Sequence, residues 1–567
     1  LVTVGAAGTL STVAGIEMLF TATDNIGIGT DALNSITSGD RNVAFGVGAL
    51  TAGTSAEDSV AIGHNALMTA ATVGNNTAVG KNALKLCAEN HNTAVGANAL
   101  AAATSAEQNT ALGREAAAAT TTGSYNTAIG AFSLDANTTG ASNVSVGQAS
   151  LGANTTGADN VAVGRATLES NTTGTRNIAI GRAAIGASDT ENDNIAIGFN
   201  AMTTNTAGGT KNVALGNYAQ DALTSGDSNI GIGYAANGAL TTGGANVAIG
   251  DDALAANTDG SNNVVIGGNA LNTATSVGNI VAIGYNALTA STTGHSNTAV
   301  GYQSLEAHTT GHYNTALGRE ALQTNTTGGE NTAIGYKALH LSTTSSHNTA
   351  TGYHALQANT TGASNTAVGS FALTTTQTVD NCTAVGYQAL ELNVTANNSA
   401  FGKDALFKNT TGSEGVAVGS QALDANTTGN HNVAVGHAAL SLNTTGHDNT
   451  AVGTAAMLVN VAANGVAVGN DAMRANTTGA ANTAVGYQSL YSNTTAADNI
   501  AFGYKAMYAN TTGTRNIAIG KLALDGQDTE NDNIAIGFEA MTTDNAGGQE
   551  NVAVGNYALD ALTSGDS

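Results

Sequence analysis

The chain has 567 residues and a formal net charge of −24, from 40 acidic and 16 basic side chains, and it contains no Pro and no Trp. Only 10% of the residues are charged, against roughly 25% in an average soluble domain. Because a nucleic-acid-binding surface needs clustered Lys and Arg, the composition excludes nucleic acid as a partner. No apolar run is long enough to span a bilayer, so we expect no membrane insertion.

Residues 1–24 lack the pattern that governs the rest of the chain. Their most apolar stretch, 12–21, carries Glu17 and has no basic leader, so it is not a convincing signal peptide. We expect 1–24 to be a cap or the end of a preceding domain. We also expect the chain to be a truncated fragment of a longer protein, because it stops inside a repeat.

From residue 25 onward a 17-residue unit recurs 32 times, with its glycines running from Gly29 to Gly555. We number its positions from the Asn that opens the core Asn, β-branched residue, Ala, Val or Ile, Gly. A period this short and regular predicts a repeat architecture that grows in one dimension. We therefore interpret 25–567 as one continuous solenoid.

The core of the unit alternates with the period of a β-strand. Position 2 is Thr, Ile or Val in 31 of the 32 copies, and position 4 is aliphatic or Phe in all copies but Thr351. β-branched residues at both positions indicate a strand packed against its own core. Position 3 is Ala in 28 copies, which suggests that the opposite face meets a neighbouring chain. The sequence thus predicts self-association through this Ala face.

The remaining positions indicate turns and ladders. Position 5 is always Gly, which predicts a backbone approach that a Cβ would block. Positions 8 and 9, usually Ala-Leu, indicate a second short strand with Leu inward, followed by an Asn-Thr-Thr-Gly turn. The Asn of position 1 is expected to form a hydrogen-bonded ladder. Representative structural residues are Asn92, Ala94, Gly96, Asn177, Ala179, Gly181, Asn482, Ala484 and Gly486.

Helix and disorder are the competing interpretations of this chain. β-branched positions, a Gly in every unit and frequent turn residues oppose helix, and the strictness of positions 2 to 5 opposes disorder. We therefore predict an all-β fold, a parallel β-solenoid of about 32 turns. Cys87 and Cys382 fall in repeats too far apart for a disulfide in such a fold.

The best polar candidate is an acidic loop that occurs twice. Asp189, Glu191 and Asp193 recur 339 residues later as a second set. Carboxylates at alternate positions suit a hard cation such as Ca²⁺, although neither loop has the Gly-turn pattern of an EF-hand and a solvated acidic loop is the plainer interpretation. No other cofactor is expected. The second set is Asp528, Glu530 and Asp532.

Other polar groups give weaker signals. His295 and His312 share a loop position in adjacent turns, where stacked rings could hold a metal as a pair; exposed polar loop residues are the plainer interpretation. Tyr recurs just after the Gly, as at Tyr353 and Tyr487, where it would touch carbohydrate or, more simply, cover the turn. Thr ladders can bind ice, but alternation of Thr with Ile and Val at position 2 suggests burial. A polysaccharide-degrading spike would need a pair of catalytic carboxylates, and no such pair recurs in the sequence as a catalytic groove would suggest.

The chain also contains a block duplication. Residues 171–228 match 510–567 without gaps, so about 20 small units form one large unit. Lengthening by blocks suits a spacer or fibre better than an enzyme.

The unit resembles the head repeats of trimeric autotransporter adhesins of the YadA-like type, whose hallmark is a Ser-Val-Ala-Ile-Gly stretch. Residues 59–63 reproduce that stretch and 516–520 come close to it. The resemblance covers 25–559 and implies a left-handed β-roll packed as a homotrimer. The unit also resembles repeats of phage tail fibres and of giant bacterial surface proteins. The family's period is usually shorter, and its neck, coiled-coil stalk and membrane anchor do not occur in this chain.

Together these features predict a non-enzymatic structural or adhesive rod of an extracellular fibre, on a cell surface or a virion. Its partners would be copies of itself, as a homotrimer or filament, and carbohydrate or protein of a host surface or matrix. A phage tail-fibre shaft is the alternative, with ice binding and polysaccharide cleavage as minor ones.

Overall fold

The computed structural model describes residues 24–206, 208–526, 529–542 and 548–560, and the backbone of 11–13 and 16–20. The chain divides into two compact units, Leu1–Tyr285 and Asn286–Ser567. Within the described residues each unit consists of strands and turns, without helix. The all-β prediction is therefore confirmed.

From β3 (Ile26–Ile28) onward, each strand has three residues and covers positions 2 to 4 of the repeat. The strands of the first unit are β1 Ser11–Val13, β2 Ile16–Phe20, β3 Ile26–Ile28, β4 Val43–Phe45, β5 Val60–Ile62, β6 Thr77–Val79, β7 Thr93–Val95, β8 Thr110–Leu112, β9 Thr127–Ile129, β10 Val144–Val146, β11 Val161–Val163, β12 Ile178–Ile180, β13 Ile195–Ile197, β14 Val213–Leu215, β15 Ile230–Ile232, β16 Val247–Ile249, β17 Val264–Ile266 and β18 Val281–Ile283. Those of the second are β19 Thr298–Val300, β20 Thr315–Leu317, β21 Thr332–Ile334, β22 Thr349–Thr351, β23 Thr366–Val368, β24 Thr383–Val385, β25 Ser399–Phe401, β26 Val416–Val418, β27 Val433–Val435, β28 Thr450–Val452, β29 Val466–Val468, β30 Thr483–Val485, β31 Ile500–Phe502, β32 Ile517–Ile519, β33 Ile534–Ile536 and β34 Val552–Val554.

Successive strands pair in parallel, with equivalent positions of the repeat opposite each other. In β11 and β12, Ala162 lies opposite Ala179 and Val163 opposite Ile180. The backbone bonds run from turn to turn, as where Gly181 N donates to Val163 O at 2.8 Å. The prediction of a parallel β-solenoid with a 17-residue repeat is thus confirmed in each unit.

The strands β1 and β2 differ from the others in direction. They pair with each other antiparallel, and β2 pairs antiparallel with β3, the first strand of the repeat. An uncovered strand edge exposes unpaired N–H and C=O groups to other chains. In the segment where a cap was predicted, β2 supplies hydrogen-bond partners to the edge of β3, and β1 in turn pairs with β2.

The prediction of a second short strand at positions 8 and 9 is wrong. Leu168 at position 9 has a φ angle of 50°, and Ala166 at position 7 has one of 55°; both lie in the left-handed region, which interrupts extended backbone. Leu168 still points inward and is fully buried, and its N–H donates to Ala184 O of the next turn at 3.0 Å. Burial of the Leu side chain offsets the conformational cost of its backbone.

Candidate interaction surface and polar clusters

The strand faces are reversed relative to the prediction from the sequence. Ala94, Ala179 and Ala484 at position 3 are 0% exposed and belong to the interior of their own coil. Positions 2 and 4 point outward, as at Ile178 and Ile180, which are 36% and 38% exposed. The prediction that the Ala face contacts another chain is therefore wrong. A narrow coil favours a small side chain opposite the inward Leu of position 9, and this accounts for Ala at most copies of position 3.

The outward positions form a surface that recurs on every strand; we call it the outer face. Many of its position 4 residues are apolar and more than a third exposed, including Phe45, Ile62, Leu112, Ile197, Leu317, Ile334, Phe401, Val418, Phe502, Ile519 and Ile536. Exposed apolar side chains that recur at one position of successive strands are typical of an interaction site. The outer face is the main candidate functional surface of the chain.

The outer face changes composition along the chain. Position 2 is Val or Ile on eight successive strands from Val161 to Val281, and Thr on six successive strands from Thr298 to Thr383. These Thr residues are half-buried. The expectation that Thr at position 2 lies in the core is therefore wrong.

The glycine of position 5 has the role that the sequence predicted. Gly96, Gly181 and Gly486 have φ angles of 141°, 125° and 134°. A Cβ on any of them would overlap the carbonyl oxygen of the same position in the next turn. Both the backbone conformation and the close approach of turns exclude a side chain.

The asparagine ladder of position 1 is confirmed. Asn177 N donates to Asn160 Oδ1 at 3.0 Å, and Asn194 N in turn donates to Asn177 Oδ1 at 3.0 Å. Asn177 Nδ2 reaches Glu191 O at 2.8 Å. Asn92 and Asn482 accept the same bond from the next turn, at 3.0 and 2.9 Å. These bonds satisfy a polar column that is fully buried.

Two further ladders were not foreseen. At position 12, Asn154 Nδ2 donates to Asn137 Oδ1 at 3.0 Å, inside the coil. At position 13, Thr155 Oγ1 donates to Thr172 O of the next turn at 3.0 Å. The Asn-Thr-Thr-Gly segment was interpreted as a turn alone, and its recurrence at one position was the signal for stacking.

One exchange of residue types breaks the inner pattern. Two successive turns carry a buried amide at position 9 and Leu at position 12, namely Gln220 with Leu223 and Asn237 with Leu240. Gln220 Nε2 donates to Val213 O at 3.0 Å, but Gln220 Oε1 is buried without a hydrogen-bond partner. Position 3 of the following turn is Gly231, where a Cβ would lie 3.0 Å from the Gln220 side chain. The smaller residue makes room for the longer amide.

The acidic loop is used internally. Glu191 is 2% exposed, and its carboxylate accepts bonds from Ser188 Oγ, Asp189 N, Thr190 N and Gly208 N at 2.6 to 3.0 Å. Burial raises the pKa of Glu191, but these hydrogen bonds outweigh it and leave the pKa below its ordinary value. Asp193 pairs with Arg176, at 2.6 and 3.0 Å.

The second copy of the loop is similar where it is described. Arg515 pairs with Asp532 at 2.6 and 2.7 Å, and Thr529 N donates to Glu530 Oε2 at 2.9 Å. Asp528 lies outside the described residues. In the part of the chain that the structure describes, no three His, Cys, Asp or Glu side chains are grouped to hold a metal ion. The geometry gives the calcium prediction no support.

Histidines occur in two settings. His295 and His312 stack, with ring centroids 5.8 Å apart and planes 5° apart. His308 instead occupies position 12 of the inner ladder and is fully buried. Its Nε2 lies 2.8 Å from Gly311 O and its Nδ1 lies 3.1 Å from Asn325 Oδ1. The two cysteines, Cys87 and Cys382, are free and buried.

Exposed aromatic rings gather at positions 6, 7 and 10. Tyr336 stacks with Tyr353, and Tyr487 with Tyr504, both with centroids 5.4 Å apart. Cations lie between rings, as where Arg319 is 5.3 Å from the Tyr302 centroid and 5.8 Å from that of Tyr336. The rings pack on their neighbours along the coil, as the plainer interpretation of the Tyr column predicted.

Comparison with known proteins does not assign the chain to a family. No protein-family model matches the chain, and no curated protein matches it either. The described part of the chain contains no helix with the length and apolarity to cross a membrane.

Proposed function

We propose that the chain is a non-enzymatic rod segment of an extracellular fibre, on a cell surface or a virion, which associates with copies of itself through the outer face. The observation that carries the proposal is the row of exposed apolar residues at position 4, such as Ile180, Leu317 and Phe502. A side chain that is apolar on strand after strand gains most when a similar face covers it.

The resemblance to YadA-like heads supports three copies packed around an axis. In that arrangement the outer faces of three coils meet at the centre. The turns of positions 6 to 16 then remain outside, where their Asn, Thr and Tyr residues are available for adhesion to carbohydrate or protein of a host surface or matrix. A phage tail-fibre shaft would use the same assembly, and the block duplication of 171–228 suits a shaft whose length matters.

The direct test is the mass of the intact chain in solution by sedimentation equilibrium. We expect three times the chain mass of 55.7 kDa. Changing Ile180 and Ile197 together to Lys should weaken the assembly, because two charges would enter a covered apolar face. A stable monomer of the unchanged chain would refute the proposal.

The matched control carries the same two charges on the turns. Thr173 and Thr190 are exposed loop residues of two adjacent turns, and Thr190 shares its turn with Ile180; changing both to Lys should leave the mass unchanged. If the loop variant dissociates equally, net charge rather than the outer face governs association.

The Thr stretch of the outer face favours a second candidate, ice binding. Six successive outward threonines, Thr298 to Thr383, form a regular column of hydroxyl and methyl groups on paired strands. Thermal hysteresis of the intact chain tests this, and Thr332→Lys with Thr349→Lys should abolish it. Its absence from the unchanged chain would end the candidate.

A further inference from the structure

Three pairs of tyrosines in the second unit have a common geometry. Tyr336 and Tyr353, Tyr487 and Tyr504, and Tyr491 and Tyr508 each lie one turn apart on equivalent positions. Their ring centroids are 5.4, 5.4 and 5.1 Å apart, and their planes differ by 21°, 15° and 13°. The two rings of each pair therefore lie face to face, within reach of each other across one turn.

The pairs are accessible at the surface of the chain. Tyr353, Tyr487 and Tyr504 are 48%, 44% and 46% exposed, and the other three are half-buried. The ladders of the inner positions hold successive turns in register, so the two rings of a pair stay close to each other while each side chain can still turn about its own bonds. Proximity of this kind raises the effective concentration of one ring at the other.

We propose that these stacked pairs are sites of oxidative tyrosine cross-linking, in which hydrogen peroxide and a haem peroxidase join adjacent turns covalently. The peroxidase removes one hydrogen atom from each phenol, and the two tyrosyl radicals couple through the ring carbons next to the oxygens. Each coupled carbon then loses its hydrogen as the ring becomes aromatic again and the hydroxyl is restored. The pair loses two hydrogen atoms in total, and one hydrogen peroxide is reduced to two waters.

The cross-link would act as a staple between turns. Each pair joins residues 17 apart, so the bond closes a short loop and opposes local separation of the two turns. This inference rests on the coil alone and does not depend on the proposed fibre function or on the number of copies.

The arrangement of basic residues makes the product easy to map. Trypsin cuts after Lys and Arg, and the chain has only 16 of them. Tyr491 and Tyr508 fall in the separate fragments 475–505 and 506–515, and Tyr508 is the only Tyr of the second. Tyr336 and Tyr353 fall in 320–337 and 338–403. A cross-link therefore joins two fragments whose combined mass is lower by two hydrogen atoms.

The experiment treats the folded intact chain with peroxide and peroxidase, denatures it, digests it and identifies joined fragments by mass spectrometry. We expect the two joined fragment pairs above, and complete loss of the 475–505 with 506–515 product in the Tyr508→Phe variant while the other product persists. An equimolar mixture of isotope-labelled and unlabelled chains distinguishes links within one chain from links between copies.

Two tyrosines serve as internal controls. Tyr125 and Tyr313 are more exposed, at 53% and 67%, but the positions 17 residues before and after each hold no Tyr. If exposure alone governed coupling, their fragments would dominate the product, and the proposal would be overturned. Equal yields from chains oxidised in urea, links formed only between copies, or no joined fragments at all would overturn it as well.

Discussion

Two stretches of the solenoid have the same inner face and different outer faces. Residues 161–283 carry Val or Ile at position 2 on eight successive strands, whereas residues 298–383 carry Thr on six. Position 3 is fully buried throughout both stretches, mostly as Ala. Strand formation tolerates Thr, Val and Ile alike, since all three are β-branched. The buried positions therefore determine the coil, and the outward position 2 varies between the two stretches without changing it.

The largest expected effect comes from the inner backbone and should be equal in the two stretches. Gly267→Ala and Gly352→Ala place a Cβ against the carbonyl of the next turn at φ angles of 136° and 138°. We expect each to destabilise its neighbouring turns by about 3 kcal/mol or more. Because solenoid stability is largely a sum over neighbouring repeats, amide hydrogen exchange at the adjacent strands is the measurement.

The control for this change is the next residue. Gly268 has no left-handed φ, and a Cβ there would lie 3.5 Å from the nearest atom, in the Tyr285 ring. Gly268→Ala should be close to neutral. If Gly267→Ala and Gly268→Ala behave alike, close approach of the turns does not explain the glycine of position 5.

A smaller effect is expected inside the aliphatic stretch, where Gln220 interrupts the inner Leu column. Gln220→Leu removes a buried oxygen that has no partner, and it should stabilise the turn by about 1–2 kcal/mol. The duplicated block already carries Leu559 at the matching place. Hydrogen exchange at β14 and β15 tests this, with exposed Gln377→Leu as control. A loss of protection would show that the bond from Gln220 Nε2 to Val213 O matters more.

Single positions of the repeat show which parts of the fold could be predicted from the sequence. The Gly at position 5 of every copy, such as Gly96, predicted a close backbone approach, because a Cβ would block it. The recurrent Asn at position 1, such as Asn92, predicted a ladder, because stacked amide side chains can hydrogen-bond from turn to turn. The alternation around Ala94 correctly divided the strand residues between two faces. It did not show which of the two faces lies inside the coil. Apolarity favoured positions 2 and 4, whereas the narrow interior selected the small side chain. The sequence alone does not reveal this limit on side-chain size, because the limit depends on where the opposite wall of the coil lies.

The acidic loop shows a second limit of the sequence. The spacing of Asp189, Glu191 and Asp193 suits a cation, but the spacing gives no direction to the side chains. The structure turns Glu191 inward onto backbone N–H groups and Asp193 along the coil to Arg176. Stacking of turns supplies these partners from residues 17 apart, which no local motif contains.

A third test exchanges the residue types at position 2 of the outer face between the two stretches. Changing Ile178 and Ile195 to Thr should weaken self-association, and changing Thr315 and Thr332 to Ile should strengthen it, each by about 0.5–1 kcal/mol per residue. The expected change in folding stability is smaller, because these positions are only partly covered in the single chain. Sedimentation at several concentrations measures the first quantity and hydrogen exchange the second.

The opposite result would change the comparison. If the Ile to Thr variant unfolds locally while its association is unchanged, position 2 belongs to the core of the coil. The inner positions alone would then not account for the fold.

The smallest expected effect is confined to one turn of the Thr stretch, at His308. Burial lowers the pKa of His308 below its ordinary value of 6.5, and the neighbouring His312 lowers it further. The unfolded chain therefore binds the proton more readily than the folded one. Stability of this turn is full above pH 6.5 and declines as the pH falls below that value. His308→Asn, which restores the common residue of position 12, should remove the decline.

Hydrogen exchange at β19 and β20 between pH 7.5 and 5 measures the decline, with exposed His437→Asn as the control that leaves it in place. An unchanged pH dependence in His308→Asn would assign the decline to another group.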